Sequence, residues 1–144
     1  MRKYYYLIFA LCLSLFYSFP AISANRQAAM YQGLEPEIAT LNDTIRILGT
    51  PISKRSNDKF IYCKYRTVEV AVEKKSGKVG IIIIFDQTFK DVNGFMIGDS
   101  YEKVSETLND AGKGNAIFDK KKNVIYIFNQ DLLLEEIVYG VLSK

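Results

Sequence analysis

Residues 60–85 read FIYCKYRTVEVAVEKKSGKVGIIIIF and contain three predicted β-strands. Apolar and polar side chains alternate along Phe60–Tyr65 and again along Thr67–Val72, as in a strand with one buried face. A polar turn follows, and Lys78–Phe85 returns as the third strand. Because Ile81–Ile84 is apolar at every position, this strand places apolar side chains on both faces of its sheet.

Two helices are predicted, one before these strands and one after them. The first has an apolar stripe at helical spacing and ends at Gly49 and Pro51. The members of that stripe are Leu34, Ile38, Leu41, Ile45 and Leu48. The second helix begins with the capping-box pair Asp99 and Glu102. Its stripe consists of Tyr101, Val104, Leu108 and Ala111. Further strands are predicted at Asn115–Phe118, Val124–Phe128 and Leu132–Tyr139.

Both halves of the chain therefore show the same order of elements, a helix followed by a β-meander. We expect an α+β fold in which two similar helix–β-meander units form a curved antiparallel sheet with helices packed on one face. The units span about residues 34–90 and 98–140, and Asp86–Ile97 links them. Together they form a single domain, residues 25–144, of ordinary length.

The segment before this domain has the composition of a secretory signal peptide. Arg2 and Lys3 precede an uncharged apolar block, Tyr4–Phe19, and small residues follow it up to Ala24. Cleavage is predicted after Ala24, with Ser23 as the second choice, which places the mature protein in the periplasm or outside the cell. An uncleaved membrane anchor is the alternative, although the block has 16 residues and a spanning helix needs about 20.

The charge balance and the absence of histidine exclude several classes of protein. Cleavage removes two of the 19 basic residues and none of the 16 acidic ones, a balance too even for a nucleic-acid-binding protein. With no histidine, the usual catalytic triads and common zinc sites cannot be assembled. Glu135 and Glu136 would point to opposite faces of a strand and cannot converge on one substrate. We therefore expect a protein that is not an enzyme and that binds no metal and no cofactor.

One cysteine remains after cleavage, because Cys12 lies in the signal peptide. Strand alternation places Cys63 beside Ile61 and Tyr65, which predicts a buried, inert thiol and no internal disulfide. A covalent partner attached through Cys63 is the alternative.

The same alternation predicts a protein-binding face on the side of the sheet away from the helices. If Ile61 and Cys63 face the helices, then Phe60, Tyr62 and Lys64 face away. If Ile125 and Ile127 are likewise buried, Tyr126 and Phe128 join the same outward face. Aromatic surfaces of this kind are typical of protein interfaces. The alternative is a second core layer, in which the linker covers these side chains with Phe89 and Phe95.

Short motifs in both halves resemble those of the BamE-like (SmpA/OmlA) modules of Gram-negative envelope proteins. Gly98-Asp99-Ser100, followed by Val104 and Leu108, matches the start of the module, and Leu48-Gly49-Thr50-Pro51 matches its helix end. Neither half contains the complete pattern. In tandem, the order of elements is similar to the β-lactamase inhibitory protein. The resemblance implies a non-enzymatic module that presents one sheet face to another protein, here without the acylation cysteine of the lipoprotein members.

We therefore expect a periplasmic or exported binding protein, of inhibitor or adaptor type, that engages another envelope or exported protein through its sheet face. A structural accessory subunit of an envelope assembly is the alternative, and a small-ligand carrier or a hydrolase ranks lower. We expect a monomer that binds no nucleic acid and is not stably inserted in a membrane after cleavage.

Overall fold

The computed structural model describes residues 28–140, so the predicted signal peptide lies outside the described residues. This part of the chain contains two helices, α1 (Leu41–Leu48) and α2 (Tyr101–Leu108). Its strands are β1 (Ser53–Ser56), β2 (Phe60–Lys64), β3 (Val68–Glu73), β4 (Val79–Ile84), β5 (Ala116–Asp119), β6 (Val124–Phe128) and β7 (Leu134–Tyr139). Neither helix has the length and hydropathy that a membrane span requires.

All seven strands belong to one antiparallel sheet, in the order β1-β2-β3-β4-β7-β6-β5. Strands β1–β4 and β5–β7 each form a meander of consecutive hairpins. The last strands of the two meanders, β4 and β7, pair with each other near the middle of the sheet, where Ile83 lies opposite Val138. The sheet is therefore continuous across both halves of the chain.

The predicted α+β fold with helices packed on one sheet face is wrong, because the protein is mostly sheet. Both helices have only eight residues. The apolar stripe that begins at Leu34 predicts too long a first helix. Leu34 lies in an isolated bridge, and Glu37 has a φ of 67°. Thr40 then caps α1 and forms a capping box with Asp43, so the helix begins only at the following residue.

The second helix also differs from the prediction at both ends. Its N-cap is Ser100, whose side chain accepts a hydrogen bond from the backbone N–H of Lys103. Asp99 precedes the cap, where its carboxylate pairs with the Lys103 ammonium at 2.7 Å. Asn109 adopts a left-handed conformation and ends the helix before Ala111. Helix α2 is therefore shorter than the apolar stripe predicted.

Six strands occur where alternation predicts them, to within about two residues. The edge strand β1 was missed because its sequence, SKRS, contains no apolar residue and every side chain is exposed. Its backbone is nevertheless paired with β2 along its whole length. Lysine and arginine are typical of exposed sheet edges, where charge opposes pairing with another chain.

One face of the sheet, called the inner face here, carries the hydrophobic core. Val70, Ile82 and Tyr139 are fully buried neighbours on β3, β4 and β7. Loops supply much of the cover, since the largest buried side chains outside the strands are Tyr31, Phe95 and Leu34. The helices contribute Val104 to the core cluster, and their half-buried side chains pack against it: Leu41, Ile47, Leu48, Tyr101 and Leu108. A layer composed largely of loop segments therefore takes the place of the predicted helical layer.

The division into two repeat-like units stays a prediction, and one pair of hydrogen bonds supports it. The N–H of Val79, the first residue of β4, donates to the carbonyl of Ala39 just before the cap of α1. The N–H of Leu134, the first residue of β7, donates to the carbonyl of Asp99 just before the cap of α2. In each half, the start of the helix is thus tied to the start of the last strand.

Candidate functional site

The opposite face of the sheet, called the outer face here, is apolar at its middle. Its strand residues alternate with the core residues, and a row runs from Glu69 through Ile83, Val138 and Ile125 to Phe118. The apolar centre of the outer face is defined here as Ile81, Ile83, Phe118, Ile125, Ile127 and Val138. Val138 is buried and the others are half-buried. Within residues 28–140, none of the six belongs to the connected cluster of core side chains on the inner face.

The predicted site residues on β2 lie on this outer face. Phe60 and Tyr62 are half-buried and Lys64 is exposed, whereas Cys63 between them is fully buried. The Tyr62 ring lies 6.0 Å from the Phe60 ring, and the Arg55 guanidinium lies 4.2 Å from the centre of the Tyr62 ring. These contacts hold an aromatic pair at one side of the apolar centre. Their part in binding stays a prediction.

The predicted placement of Tyr126 and Phe128 on the same face is wrong. Both side chains lie in the core, 0% and 1% exposed, and Ile125 and Ile127 face outward instead. The alternation itself is present, but all five residues of β6 are apolar, so the sequence does not indicate which set is inward. The aromatic side chains on this strand therefore cannot contact a partner.

The linker covers Tyr126 on the inner face, where the helices also pack, and so differs from the predicted alternative of a second core layer on the face away from the helices. The Phe95 ring packs edge-to-face on the Tyr126 ring, with 5.2 Å between their centres. Phe89 instead packs against Tyr31 and Tyr139. The linker is thus part of the cover of the inner face.

A buried polar cluster fixes the linker in this position. The Tyr126 hydroxyl donates to Asp91 Oδ2 at 2.5 Å and accepts from Asn93 Nδ2 at 2.7 Å. Asp91 Oδ1 accepts from the backbone N–H groups of Asn93 and Phe95. Burial raises the pKa of the Asp91 carboxyl and of the Tyr126 hydroxyl. The strand pattern does not predict this cluster, and the available signal in the sequence is the run Asp91-Val92-Asn93-Gly94, which is typical of a turn.

A groove of about 480 Å³ opens at one end of the outer face. Phe60, Gly80 and Ile81 line it, together with the exposed residues Lys59 and Lys78. A Cβ atom at Gly80 would lie 3.0 Å from Cε1 of Phe60, so glycine leaves the space above that ring open. The groove therefore extends the apolar centre toward a rim of mixed charge, because Glu37 and Glu73 line it as well as the two lysines.

A half-buried carboxylate lies at the other end of the apolar centre. Glu136 is opposite Ile127 in the register of β6 and β7. Burial, and then the neighbouring charges of Glu135 and Glu69, raise the pKa of its carboxyl. Glu69 forms a 2.5 Å ion pair with Arg55. Within residues 28–140, Glu136 has no ion-pair partner.

Cys63 is fully buried on the inner face, which confirms the predicted burial of its side chain. Burial raises the pKa of the thiol, an effect that the charge of Lys54 partly opposes. Because the thiolate is the reactive form, the native thiol is expected to be inert.

We expect a thiol reagent to label Cys63 slowly in the native protein and rapidly in guanidinium, when the chain is produced without residues 1–24. Cys63→Ala should lower the free energy of unfolding by about 1 kcal/mol, as small core truncations do. Reagent absorbance and urea melts measure the two effects. Rapid labelling under native conditions would contradict the prediction.

Comparison with known proteins identifies no relative by sequence: no family model and no curated protein matches the chain. Among solved structures, an extracellular protein containing a SCP domain from Bacillus anthracis str. Ames is similar, with a TM-score of 0.46 and 12% identity. The similar region covers 70% of this chain and 42% of that protein, so this chain spans less than half of its length. A likeness this slight supports no inference about function.

The described residues also contain no group of three histidine, cysteine, aspartate or glutamate side chains arranged to hold a metal ion.

Proposed function

We propose that the protein is an exported, non-enzymatic binding protein that engages another envelope protein through the outer face of its sheet, as an inhibitor or adaptor. The observation that carries the proposal is the apolar centre of that face. Its side chains come from four neighbouring strands, and within residues 28–140 none of them belongs to the cluster of core side chains on the inner face. Contiguous apolar surfaces rimmed by polar residues are typical of protein interaction sites.

The surroundings of the apolar centre fit a protein partner. Tyr62 and Phe60 supply aromatic contact area at one side, and Arg55 is held over the Tyr62 ring. Tyrosine and arginine are enriched among the residues that dominate interface energetics. The charged side chains of Lys64 and Glu136 lie at the margins. An apolar middle with a polar rim is the usual anatomy of an interface.

Export and the kind of partner rest on the sequence. The predicted signal peptide ending at Ala24 supports export. The motifs Gly98-Asp99-Ser100 and Leu48-Gly49-Thr50-Pro51 support a relationship to BamE-like modules, and through it a partner in the envelope. The non-enzymatic character rests on the absence of histidine from the whole sequence.

Site-specific photocrosslinking in the producing cells tests the proposal. A photoreactive amino acid at Ile83 or Ile125, in the middle of the outer face, should give a covalent adduct with another protein. The same amino acid at Ile52, which is 73% exposed but lies outside the apolar centre, is the matched control and should give none.

Ile83→Glu should lower the yield of the adduct formed from position 125 by about tenfold or more, because an interface hot spot contributes roughly 2 kcal/mol or more to binding. Mass spectrometry of the adducts measures this. Equal adduct yields from positions 52 and 83 would contradict the proposal, and so would the absence of an adduct from both position 83 and position 125.

A further inference from the structure

The turn between β5 and β6 meets the linker at a lysine and an asparagine. Lys122 Nζ lies 2.5 Å from Oδ1 of Asn93 and 3.2 Å from the carbonyl oxygen of Val92. It is therefore at most about 3.7 Å from Cγ of Asn93, because the C=O bond adds only about 1.2 Å to the 2.5 Å contact. Reacting atoms in a near-attack arrangement are about 3–3.5 Å apart. The amine is thus close to the distance from which it attacks the amide carbon.

Hydrogen bonds fix which end of the Asn93 amide faces the lysine. Its Nδ2 donates to the Tyr126 hydroxyl at 2.7 Å and to Oδ2 of Asp119 at 2.9 Å. An ionised carboxylate only accepts hydrogen bonds and an ammonium group only donates them. The reversed amide would therefore place Oδ1 against Asp119 and Nδ2 against Lys122. The amide thus presents its carbonyl group to the amine and its nitrogen to the Tyr126 hydroxyl.

A source of protons lies behind the Tyr126 hydroxyl, which is 2.5 Å from Oδ2 of Asp91. Burial raises the pKa of the Asp91 carboxyl, so its protonated form is more accessible than that of an exposed aspartate. A protonated Asp91 donates to the Tyr126 oxygen, and the Tyr126 hydroxyl is then free to donate to Nδ2 of Asn93. The three side chains can therefore deliver a proton to the amide nitrogen.

We propose that Lys122 and Asn93 form a covalent isopeptide bond in the folded protein, with release of ammonia. The bond ties the linker to the turn between β5 and β6. It goes beyond the proposed function, because it is a modification of the chain by its own residues and requires no partner.

The reaction needs no oxidant and no second reactant. The Lys122 ammonium first releases one proton to solvent, which its half-buried position allows. The bond between Nζ and Cγ of Asn93 then forms, and the bond between Cγ and Nδ2 breaks. The attacking nitrogen releases one further proton to solvent. The departing nitrogen takes one proton from the Tyr126 hydroxyl and leaves as ammonia, and Asp91 replaces the proton of Tyr126 and regains its own from solvent.

The surroundings supply the acceleration that an otherwise inert amide requires. Holding two groups in a reactive arrangement is equivalent to a concentration of about 10⁵–10⁸ M in well-oriented cases. A positioned acid that protonates the leaving group contributes a further factor of about 10²–10⁴. Asp119 holds the amide through its hydrogen bond to Nδ2, and the Val92 carbonyl holds Nζ of Lys122.

A competing nitrogen lies next to the same amide carbon. In an Asn-Gly sequence, the backbone nitrogen of the glycine can attack Cγ of the asparagine, and hydrolysis of the ring then leaves an acid. Here the N–H of Gly94 donates to the Asp91 carbonyl at 3.0 Å. Ring closure at Gly94 would break that hydrogen bond, whereas Lys122 already contacts the amide oxygen. Attack by Lys122 is therefore favoured.

Tryptic peptide mapping of the protein purified from the producing cells tests the proposal. Trypsin does not cleave after a lysine whose amine is acylated. The map should therefore contain Asp91–Lys103 joined to a peptide that begins at Lys122, with a mass lower than the sum of the two by that of one ammonia molecule. The free peptide that begins at Asn123 should be nearly absent.

Two matched variants provide the control. In Lys122→Arg the guanidinium keeps the positive charge and does not attack, so Asp91–Lys103 should appear unlinked. In Lys121→Arg the substitution is at the neighbouring exposed lysine, and the linked species should persist. The bond should also place the midpoint of thermal unfolding of the wild type roughly 10 °C above that of Lys122→Arg, because it closes a loop between residues 29 positions apart.

A wild-type map in which Asp91–Lys103 is unlinked overturns the proposal, whether Asn93 is intact or has become aspartate. The second of these results would identify Gly94 as the attacking group. A linked species that persists in Lys122→Arg would also overturn it, because another lysine would then be the nucleophile. The wild-type map is decisive even if a variant fails to fold.

Discussion

Tyr126→Ala is expected to lower the free energy of unfolding by about 4 kcal/mol or more, whereas Tyr62→Ala should lower it by about 1 kcal/mol. The two residues are matched, because both are tyrosines near the middle of a strand of the same sheet. Tyr126 is 0% exposed on the inner face, and Tyr62 is half-buried on the outer face. The difference in unfolding free energy between the two variants shows which face of the sheet carries the core.

The large effect at Tyr126 has two physical causes. Removal of the ring leaves a cavity beneath Phe95, and truncation of a buried aromatic side chain costs about 3–5 kcal/mol. Removal of the hydroxyl takes a hydrogen-bond donor from Asp91, which is 6% exposed. A buried carboxylate that loses a donor incurs an additional desolvation cost.

Urea unfolding followed by circular dichroism measures both variants. If Tyr126→Ala is too unstable to purify, Tyr126→Phe keeps the ring and removes only the hydroxyl, at an expected cost of about 1.5–3 kcal/mol for a hydrogen bond to a charged group. Equal losses for Tyr126→Ala and Tyr62→Ala would contradict the assignment of the two faces. Crosslinking from Ile83 should be weakened by Tyr62→Ala if this ring contacts the partner.

Strand positions could be predicted from the sequence, because a two-residue period is a local property. The local sequence indicates which side of a strand faces the core only where the two alternating sets of residues differ in polarity. Along β2, the polar Lys64 beside Cys63 fixes the inward set correctly. Along β6, VIYIF contains no polar side chain, and the inward set depends on Phe95 of the linker. That contact joins residues 31 positions apart and leaves no trace in a local pattern.

The helices were overestimated for a related reason. An apolar spacing of three and four residues is compatible with a helix, but the backbone hydrogen bonds decide whether one forms. Before α1, the N–H of Glu37 and the carbonyl of Ala39 bond to Val79 instead of to a helical turn. Leu34 is buried by a loop and matches the helical stripe only by coincidence.

The candidate site could be predicted in part. The apolar run Ile81–Ile84 requires apolar groups on both faces, and the structure places Ile81 and Ile83 at the centre of the outer face. From the sequence, Glu136 is recognisable only as one member of the Glu135-Glu136 pair. Its position at the margin of the outer face follows from the pairing of β7 with β4 and β6, which the sequence alone does not specify.

Gly140→Ala is expected to lower the free energy of unfolding by about 2 kcal/mol more than Gly33→Ala does. Both glycines have positive φ, 82° and 86°, so both substitutions introduce similar backbone strain of about 1–2 kcal/mol. A Cβ at Gly33 meets nothing within 4 Å. A Cβ at Gly140 would lie 2.2 Å from the Gly80 carbonyl oxygen and 2.7 Å from Cβ of Pro36.

The excess cost at Gly140 arises because the closest atom belongs to the backbone. The Gly80 carbonyl cannot rotate away as a flexible side chain would, so β4 and β7 must separate at this end of the sheet. Overpacking of this kind costs about 1–3 kcal/mol, occasionally more. Equal urea midpoints for Gly140→Ala and Gly33→Ala would show that the two strands are not in close contact there.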